Sequence, residues 1–121
     1  MAKLSKTRCV LAVPELATSL AYYRDQLGME LEFEAPGWAF LARGAFAVML
    51  GDCPDALAPA ATGDHAYFAY VTVEDVDALY AEYRARRLDF IKLLRDEPWG
   101  MREFGLCTVD GHRLMFGQEL G

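Results

Sequence analysis

The stretch VPELATSLAYYR, residues 13–24, returns sixty residues later as VEDVDALYAEYR, residues 73–84, and the two copies align without a gap. Apolar residues recur at helical spacing in both copies, so each copy predicts a helix with one apolar face. These apolar positions are Leu16, Leu20, Tyr23 and Leu27 in the first copy and Val76, Leu79, Tyr80 and Tyr83 in the second. An offset of half the chain length indicates a fold built from two similar halves.

The residues at the ends of these segments support the two predicted helices. Gly28 follows the first one, where a left-handed C-terminal cap belongs. Glu74 and Asp75 precede the second one, and arginines lie near its end, which is the arrangement that a helix dipole favours.

Strand-like segments flank each predicted helix in the same order. In the first half they are RCVLAV (8–13), MELEFE (29–34), WAFLAR (38–43) and AFAVML (45–50), with Gly44 as a tight turn. In the second half they are AYFAYVTV (66–73), DFIKLL (89–94), MREFGLCT (101–108) and HRLMFG (112–117), with Asp110-Gly111 as a hairpin turn. The order is βαβββ twice, which predicts an α+β fold.

We expect residues 1–121 to form a single domain with two βαβββ halves, 7–51 and 65–119. The linker, 52–64, is rich in Pro, Ala, Gly and Asp. One helix covers only one face of a four-stranded sheet, so the other face must meet something else. We therefore predict that the two units form a curved mixed sheet around a groove.

Composition limits the classes of function. A chain of 121 residues that is 54% hydrophobic suits one domain with a substantial core. No apolar run approaches the roughly 18 residues of a membrane span, and the N-terminus lacks the apolar core of a signal peptide, so we expect a cytoplasmic protein without a membrane partner. A net charge of −6 repels nucleic acid and attracts cations. Three cysteines at scattered spacing predict free thiols.

The first-half motif VP-x-L-x-x-S-L-x-Y-Y-R-D-x-L-G, together with the paired βαβββ units, resembles the vicinal oxygen chelate superfamily. That superfamily includes glyoxalase I, extradiol dioxygenases, and fosfomycin and bleomycin resistance proteins. The resemblance covers about residues 7–119 and implies the glyoxalase-like fold. EPWGMREF (97–104) and the terminal FGQEL are similar to the bleomycin resistance proteins in particular. TVDGH (108–112) departs from the D-P-D-G-N that relatives usually carry, which affects the hairpin and not the fold.

The resemblance also implies four positions at which the enzymes of the superfamily hold a divalent metal. In this chain they are Arg8, Met49 or Val48, Phe68 and Met115. Cationic, apolar, aromatic and thioether side chains are poor ligands for such an ion. The two histidines, His65 and His112, fall outside these positions, and we expect them to be solvated or locally hydrogen-bonded. We therefore expect no metal, no cofactor and no catalytic residues.

Strand alternation assigns side chains to the two faces of each sheet, and it turns aromatic and thioether groups toward the predicted groove. The expected ligand-binding residues are Trp38, Phe40, Phe33, Met49, Phe68, Trp99, Gly100, Met101, Arg102, Glu103 and Met115. Trp99 is expected at the rim, and Gly100 is expected to let the backbone approach a ligand or partner closely. Aromatic side chains suit planar rings, and nearby acids favour a cationic tail.

The function implied by the resemblance is a metal-free homodimer that sequesters bleomycin-like glycopeptide antibiotics, which are aromatic and cationic, and so confers resistance. Two alternatives stay open: a metal-dependent lyase or dioxygenase of the same superfamily, and a binder of another small aromatic ligand. For Trp38, Trp99, Phe68 and Met115, packing in the core or at a dimer contact is the alternative to ligand binding.

Overall fold

The computed structural model describes residues 2–62 and 66–121, and both halves follow the predicted order βαβββ. The strands of the first half are β1 (Cys9–Val13), β2 (Glu30–Ala35), β3 (Trp38–Arg43) and β4 (Phe46–Asp52). Those of the second half are β5 (Tyr67–Thr72), β6 (Asp89–Asp96), β7 (Met101–Cys107) and β8 (Arg113–Glu119). The helices are α1 (Leu16–Ala21), which continues as a π-helical turn (Tyr22–Gln26), and α2 (Val76–Ala85). His65 lies outside the described residues.

The strands form two four-stranded mixed sheets, in the orders β1-β4-β3-β2 and β5-β8-β7-β6. In each sheet the first strand of the half runs parallel to the last, and the remaining neighbours are antiparallel. One compact unit ends at Ala56 and the other begins at Leu57, inside the predicted linker. Within the described ranges, no helix is long and apolar enough to cross a membrane. The predicted α+β fold with two βαβββ units is confirmed.

Each unit has its own core between its helix and one face of its sheet. In the first unit the fully buried side chains include Tyr23, Leu27, Leu41 and Leu50. In the second unit the Tyr83 ring lies edge-on to Phe104 and Phe116, with ring centroids 6.2 Å and 5.7 Å away. Tyr23 and Tyr83 correspond in the repeat, and both are buried, so each unit places the same residue at the same point of its core.

The two helices differ by one residue in a way that the gapless alignment does not reveal. The Leu27 N–H donates to the Tyr22 carbonyl at 3.1 Å, which is the hydrogen bond of a π-helical turn. The residue with left-handed backbone after the helix is Gly28 (φ 78°) in the first unit and Arg87 (φ 58°) in the second. These two residues are 59 positions apart, whereas the tyrosines are 60 apart, so the π-helical turn absorbs the extra residue.

Candidate functional site

Each sheet packs its helix against one face and leaves the opposite face without a helix. We call this opposite face the helix-free face of each sheet. Strand register assigns side chains to it, because residues paired across neighbouring strands point to the same side.

The first helix-free face is aromatic. The rings of Phe33 and Phe40 pack edge-to-face with centroids 5.7 Å apart, and the guanidinium carbon of Arg8 lies 5.5 Å from the Phe40 centroid. Trp38 lies over Gly51, where a Cβ would be 3.0 Å from two carbons of the indole ring. Gly51 therefore leaves the space that the Trp38 ring occupies.

Met49 also belongs to the first helix-free face, since it pairs with Val10 on one side and with Phe40 on the other. Val48, the alternative considered for this position, is fully buried on the helix side. Met115 has the equivalent register in the second sheet, between Tyr70 and Gly105, but it is buried. The repeat thus places a methionine at the same point of each sheet.

The centre of the second helix-free face is the carboxylate of Glu103, which is only 2% exposed. Its Oε2 accepts a hydrogen bond from the Tyr70 hydroxyl at 2.6 Å. Its Oε1 accepts hydrogen bonds from Lys92 Nζ at 3.0 Å and from Trp99 Nε1 at 3.1 Å. Three donors and one positive charge offset the cost of removing this carboxylate from water.

Tyr70 reaches Glu103 by extending across Gly117. A Cβ built on Gly117 lies 2.7 Å from Tyr70 Cζ and overlaps the hydroxyl oxygen, so only glycine leaves room for this contact. Burial and the Glu103 carboxylate raise the pKa of Tyr70, and the phenol therefore stays protonated as a donor.

Trp99 is 64% exposed, so it does not fill the core. Its indole nitrogen faces Glu103, and Lys92 Nζ lies 5.4 Å from the centroid of the ring. Lys92 Nζ is also 3.5 Å from Oε1 of the buried Glu97, which forms a further ion pair with Arg95. The exposed indole is therefore held at one edge by charged groups that are much less exposed.

Gly100 ends the turn that carries Trp99. The Glu97 N–H donates to the Met101 carbonyl at 2.8 Å, and the Gly100 N–H donates to the Glu97 carbonyl at 3.0 Å. Gly100 has φ 86°, and a Cβ there would meet no atom within 4 Å. Within the described chain, the backbone conformation of the turn requires glycine, and close approach of other atoms does not.

The remaining predicted residues divide between the two faces of the second sheet. Met101 lies two residues before Glu103 on β7 and shares its face. Arg102 does not join them, because it bonds Asp96 at 2.6 Å and Asp77, in the first turn of α2, at 3.0 Å. Alternation along β7 turns Arg102 to the helix side.

Phe68 contacts His112 edge-to-face at 5.8 Å between ring centroids. Within the described ranges, the buried Nδ1 of His112 has no hydrogen-bond partner, and burial lowers the pKa of the ring. The ring of His112 is half-buried against Phe68, so its side chain is only partly open to solvent. The backbone N–H of His112 donates to the Thr108 hydroxyl at 3.1 Å, and its backbone carbonyl accepts from the Thr108 N–H at 2.8 Å.

The donor chemistry does not fit the divalent metal of the superfamily's enzymes. Arg8, Met49, Phe68 and Met115 stand at the four positions that the resemblance assigns to metal ligands. No three His, Cys, Asp or Glu side chains come together to hold a metal ion in the part of the chain that the structure describes. The three cysteines are free thiols, as predicted.

Sequence reasoning missed Lys92 as a member of the Glu103 cluster. Lys92 lies on β6 at a place where the register with β7 shifts on both sides of it, so simple alternation does not predict its direction. Strand alternation places Tyr70 on the helix-free face, but only the small size of Gly117 indicates that Tyr70 crosses β8.

Comparisons with known proteins agree with this fold. A family model described as the Glyoxalase/Bleomycin resistance protein/Dioxygenase superfamily matches residues 7–116. No curated protein matches the chain significantly. TioX from Micromonospora sp. ML1 is 26% identical, covers 96% of this chain and 99% of its own, and superposes with a TM-score of 0.76.

Two further solved structures share the fold at lower identity. A bleomycin-binding protein from bleomycin-producing Streptomyces verticillus, complexed with copper(II)-bleomycin, is 23% identical over 100% of this chain and 99% of its own, with a TM-score of 0.74. A glyoxalase/bleomycin resistance protein/dioxygenase from Alicyclobacillus acidocaldarius is 16% identical over 97% of this chain and 92% of its own, with a TM-score of 0.81.

Proposed function

Because the chain belongs to the glyoxalase/bleomycin resistance protein/dioxygenase superfamily, we propose that it is a metal-free binding protein that sequesters bleomycin-like glycopeptide antibiotics. The protein would confer resistance by holding the drug, without chemical change, as a cytoplasmic homodimer. The bleomycin-binding protein of Streptomyces verticillus has the same fold, which is why bleomycin is the first ligand to test.

The observation that carries the proposal is the aromatic surface of the first helix-free face. Phe33 and Trp38 are 59% and 38% exposed, and Phe40 lies between Phe33 and Met49 in the sheet. Aromatic rings that protrude from a rigid sheet stack well on planar heteroaromatic rings. A ligand with such rings would remove this apolar surface from water.

The attraction for a cationic ligand rests on the net charge of −6 and not on Glu103. The Glu103 carboxylate already accepts hydrogen bonds from three donors, one of which is the ammonium of Lys92. A cationic tail would therefore meet the long-range field of the protein, which salt screens.

Binding without catalysis is supported by the residues at the four metal positions. A guanidinium, two thioethers and a phenyl ring do not bind hard or borderline divalent ions, so the Lewis-acid chemistry of the related enzymes has no ligand set here. The aromatic and apolar residues around them suit a ligand-binding surface.

The homodimer is supported by exposed apolar side chains. Leu93 and Ile91, on edge strand β6, are 58% and 42% exposed. A second copy of the chain packed on this strand would remove these side chains from water. Sedimentation equilibrium of the purified protein tests this part of the proposal, and a monomer at micromolar concentration would refute it.

The drug-binding part is tested by titrating the protein with bleomycin and following tryptophan fluorescence and heat. Saturation at one drug per chain is expected, and Trp38→Ala should weaken binding about tenfold, the size of effect typical of a central aromatic contact. Arg86→Gln is the matched control, because Arg86 is the C-cap of α2 in the second unit and pairs with Glu82 on that helix, and its loss should leave affinity unchanged.

The same protein sample distinguishes the enzyme alternative. Metal analysis should find no stoichiometric divalent metal after purification in buffers that contain no chelator. A flat bleomycin titration would remove the proposed ligand, and stoichiometric metal would contradict the metal-free part of the proposal.

A further inference from the structure

We infer that Glu103 is a positioning residue that fixes the exposed rings of Trp99 and Tyr70 in one arrangement on the second helix-free face. The inference deepens the proposed function, and its consequence for affinity rests on that function. The geometric part concerns the free protein and stands independently of any ligand.

The first step is the exposure of the two rings. Trp99 lies on a turn and is 64% exposed, and Tyr70 is 47% exposed. Exposed side chains of this kind ordinarily change rotamer on a picosecond to nanosecond timescale. Here, however, both polar ends donate to the same carboxylate, with distances of 3.1 Å and 2.6 Å. Hydrogen bonds to an ionised acceptor are the strong ones.

The second step is the immobility of the acceptor. Glu103 is almost fully buried in the middle of β7, a strand paired on both sides. Its charged partner, Lys92, is largely buried as well and also contacts Glu97. A carboxylate on a rigid strand, neutralised by a half-buried ammonium, makes a fixed point for mobile aromatic donors.

The third step is the space that the arrangement requires. Gly117 leaves the gap across which Tyr70 reaches Glu103, and Gly105 leaves room for the sulfur of Met115, which a Cβ would approach to 2.8 Å. The absence of a side chain at Gly117 thus opens the path across β8 that the Tyr70 ring takes. A surface whose rings are already ordered loses less entropy when it binds a ligand.

The free protein provides the first test. In a Trp38→Phe background Trp99 is the single tryptophan, and its anisotropy decay, excited where tyrosine does not absorb, reports local motion of the indole. Glu103→Gln should raise the amplitude of fast local motion, with the population of rotated indole increasing about tenfold, the effect of one charge-assisted hydrogen bond. Glu97→Gln is the matched control: it removes the other carboxylate from Lys92 but no bond from the indole.

A second measurement needs no substitution and covers the case in which Glu103→Gln does not fold. In the wild-type protein the indole N–H of Trp99 should exchange with solvent about tenfold more slowly than that of a free indole, despite the exposure of the ring. Exchange at the free rate, or equal anisotropy for Glu103→Gln and Glu97→Gln, would overturn the inference.

The consequence for affinity is tested by a double-mutant cycle with bleomycin, followed by calorimetry. Glu103→Gln should raise Kd about tenfold when Trp99 and Tyr70 are present and less than about twofold when both are replaced by phenylalanine, because the carboxylate acts through the two rings. Equal effects in both backgrounds would refute positioning. If wild-type protein does not bind bleomycin, the proposed ligand fails, and anisotropy and exchange alone decide whether Glu103 positions the rings.

Discussion

Replacing Gly117 by alanine perturbs the contact between Tyr70 and Glu103 without removing either side chain. Gly117 is not one of the glycines with positive φ, so alanine fits the backbone of β8. The added methyl group would overlap the Tyr70 hydroxyl and come within 2.7 Å of Cζ. Because Tyr70 is half-exposed, its ring can turn into solvent. The substitution should therefore lower the free energy of unfolding by the contribution of the lost hydrogen bond to Glu103.

The magnitude follows from that bond. A hydrogen bond to a charged acceptor contributes about 1.5–3 kcal/mol to the free energy of unfolding. Alanine also restricts the unfolded chain, which returns about 0.4–1 kcal/mol. The net loss of stability for Gly117→Ala should therefore be about 1–2 kcal/mol. In the Tyr70→Phe background no hydroxyl is available to lose, and the cost should fall below about 0.5 kcal/mol, as for other exposed side chains.

Urea denaturation followed by circular dichroism measures all four proteins of this cycle. Gly51→Ala is the matched control in the first unit, because its Cβ would meet the Trp38 ring at 3.0 Å and break no hydrogen bond among those that the structure describes. An equal cost of Gly117→Ala in the presence and absence of the Tyr70 hydroxyl would refute the reasoning. So would a more stable Gly117→Ala protein.

Three other predictions concern side chains outside this contact. Burial lowers the pKa of His112 below its ordinary 6.5, so protons bind the unfolded chain preferentially and the free energy of unfolding should fall as the pH drops through 6.5. In His112→Gln the midpoint of urea denaturation should depend less on pH over this range. Arg102 lowers the pKa of Asp96, so the ionised Asp96 stabilises the fold above the ordinary pKa of 3.8, and this stabilisation is lost as the pH falls through the lowered pKa. Arg102→Met should remove this acid dependence of stability and leave bleomycin affinity unchanged in calorimetry. Phe104, fully buried and stacked on Phe116, should cost about 3–5 kcal/mol in urea denaturation when replaced by alanine.

The fold was predictable because the repeat and the turn glycines agree with each other. Gly28, Gly44 and Gly111 were assigned to turns or caps, and they have φ values of 78°, 58° and 90°. A backbone position with positive φ favours glycine, so a single residue is enough to predict it. The π-helical turn in the first unit was not predictable from the repeat. The aligned segments end before the turn closes, so the alignment without gaps does not show that the first unit has one more residue between its buried tyrosine and its left-handed residue.

The candidate site was predictable in its faces and not in its hydrogen bonds. Alternation placed Glu103 and Tyr70 on one side of the second sheet, and the same rule, applied to neighbouring residues, separates Arg102 from Glu103. The direction of Lys92 depends on two register shifts in β6, and that of Trp99 depends on a turn. Simple strand alternation predicts neither direction.

The repeat explains why the two helix-free faces differ in chemistry while sharing a shape. Gly51 pairs with Trp38, and Gly117, at the same register on the last strand, pairs with Glu103. In the first unit the space above the glycine is filled by the ring of the paired residue. In the second unit that residue is a carboxylate, and Tyr70 from β5 fills the space instead. A glycine that admits an aromatic ring is thus common to both units, whereas the charged network around Glu103 belongs to the second unit. Substitution of Gly51 or Gly117 should therefore perturb ring placement on its own face, and Glu103→Gln should perturb only the second face.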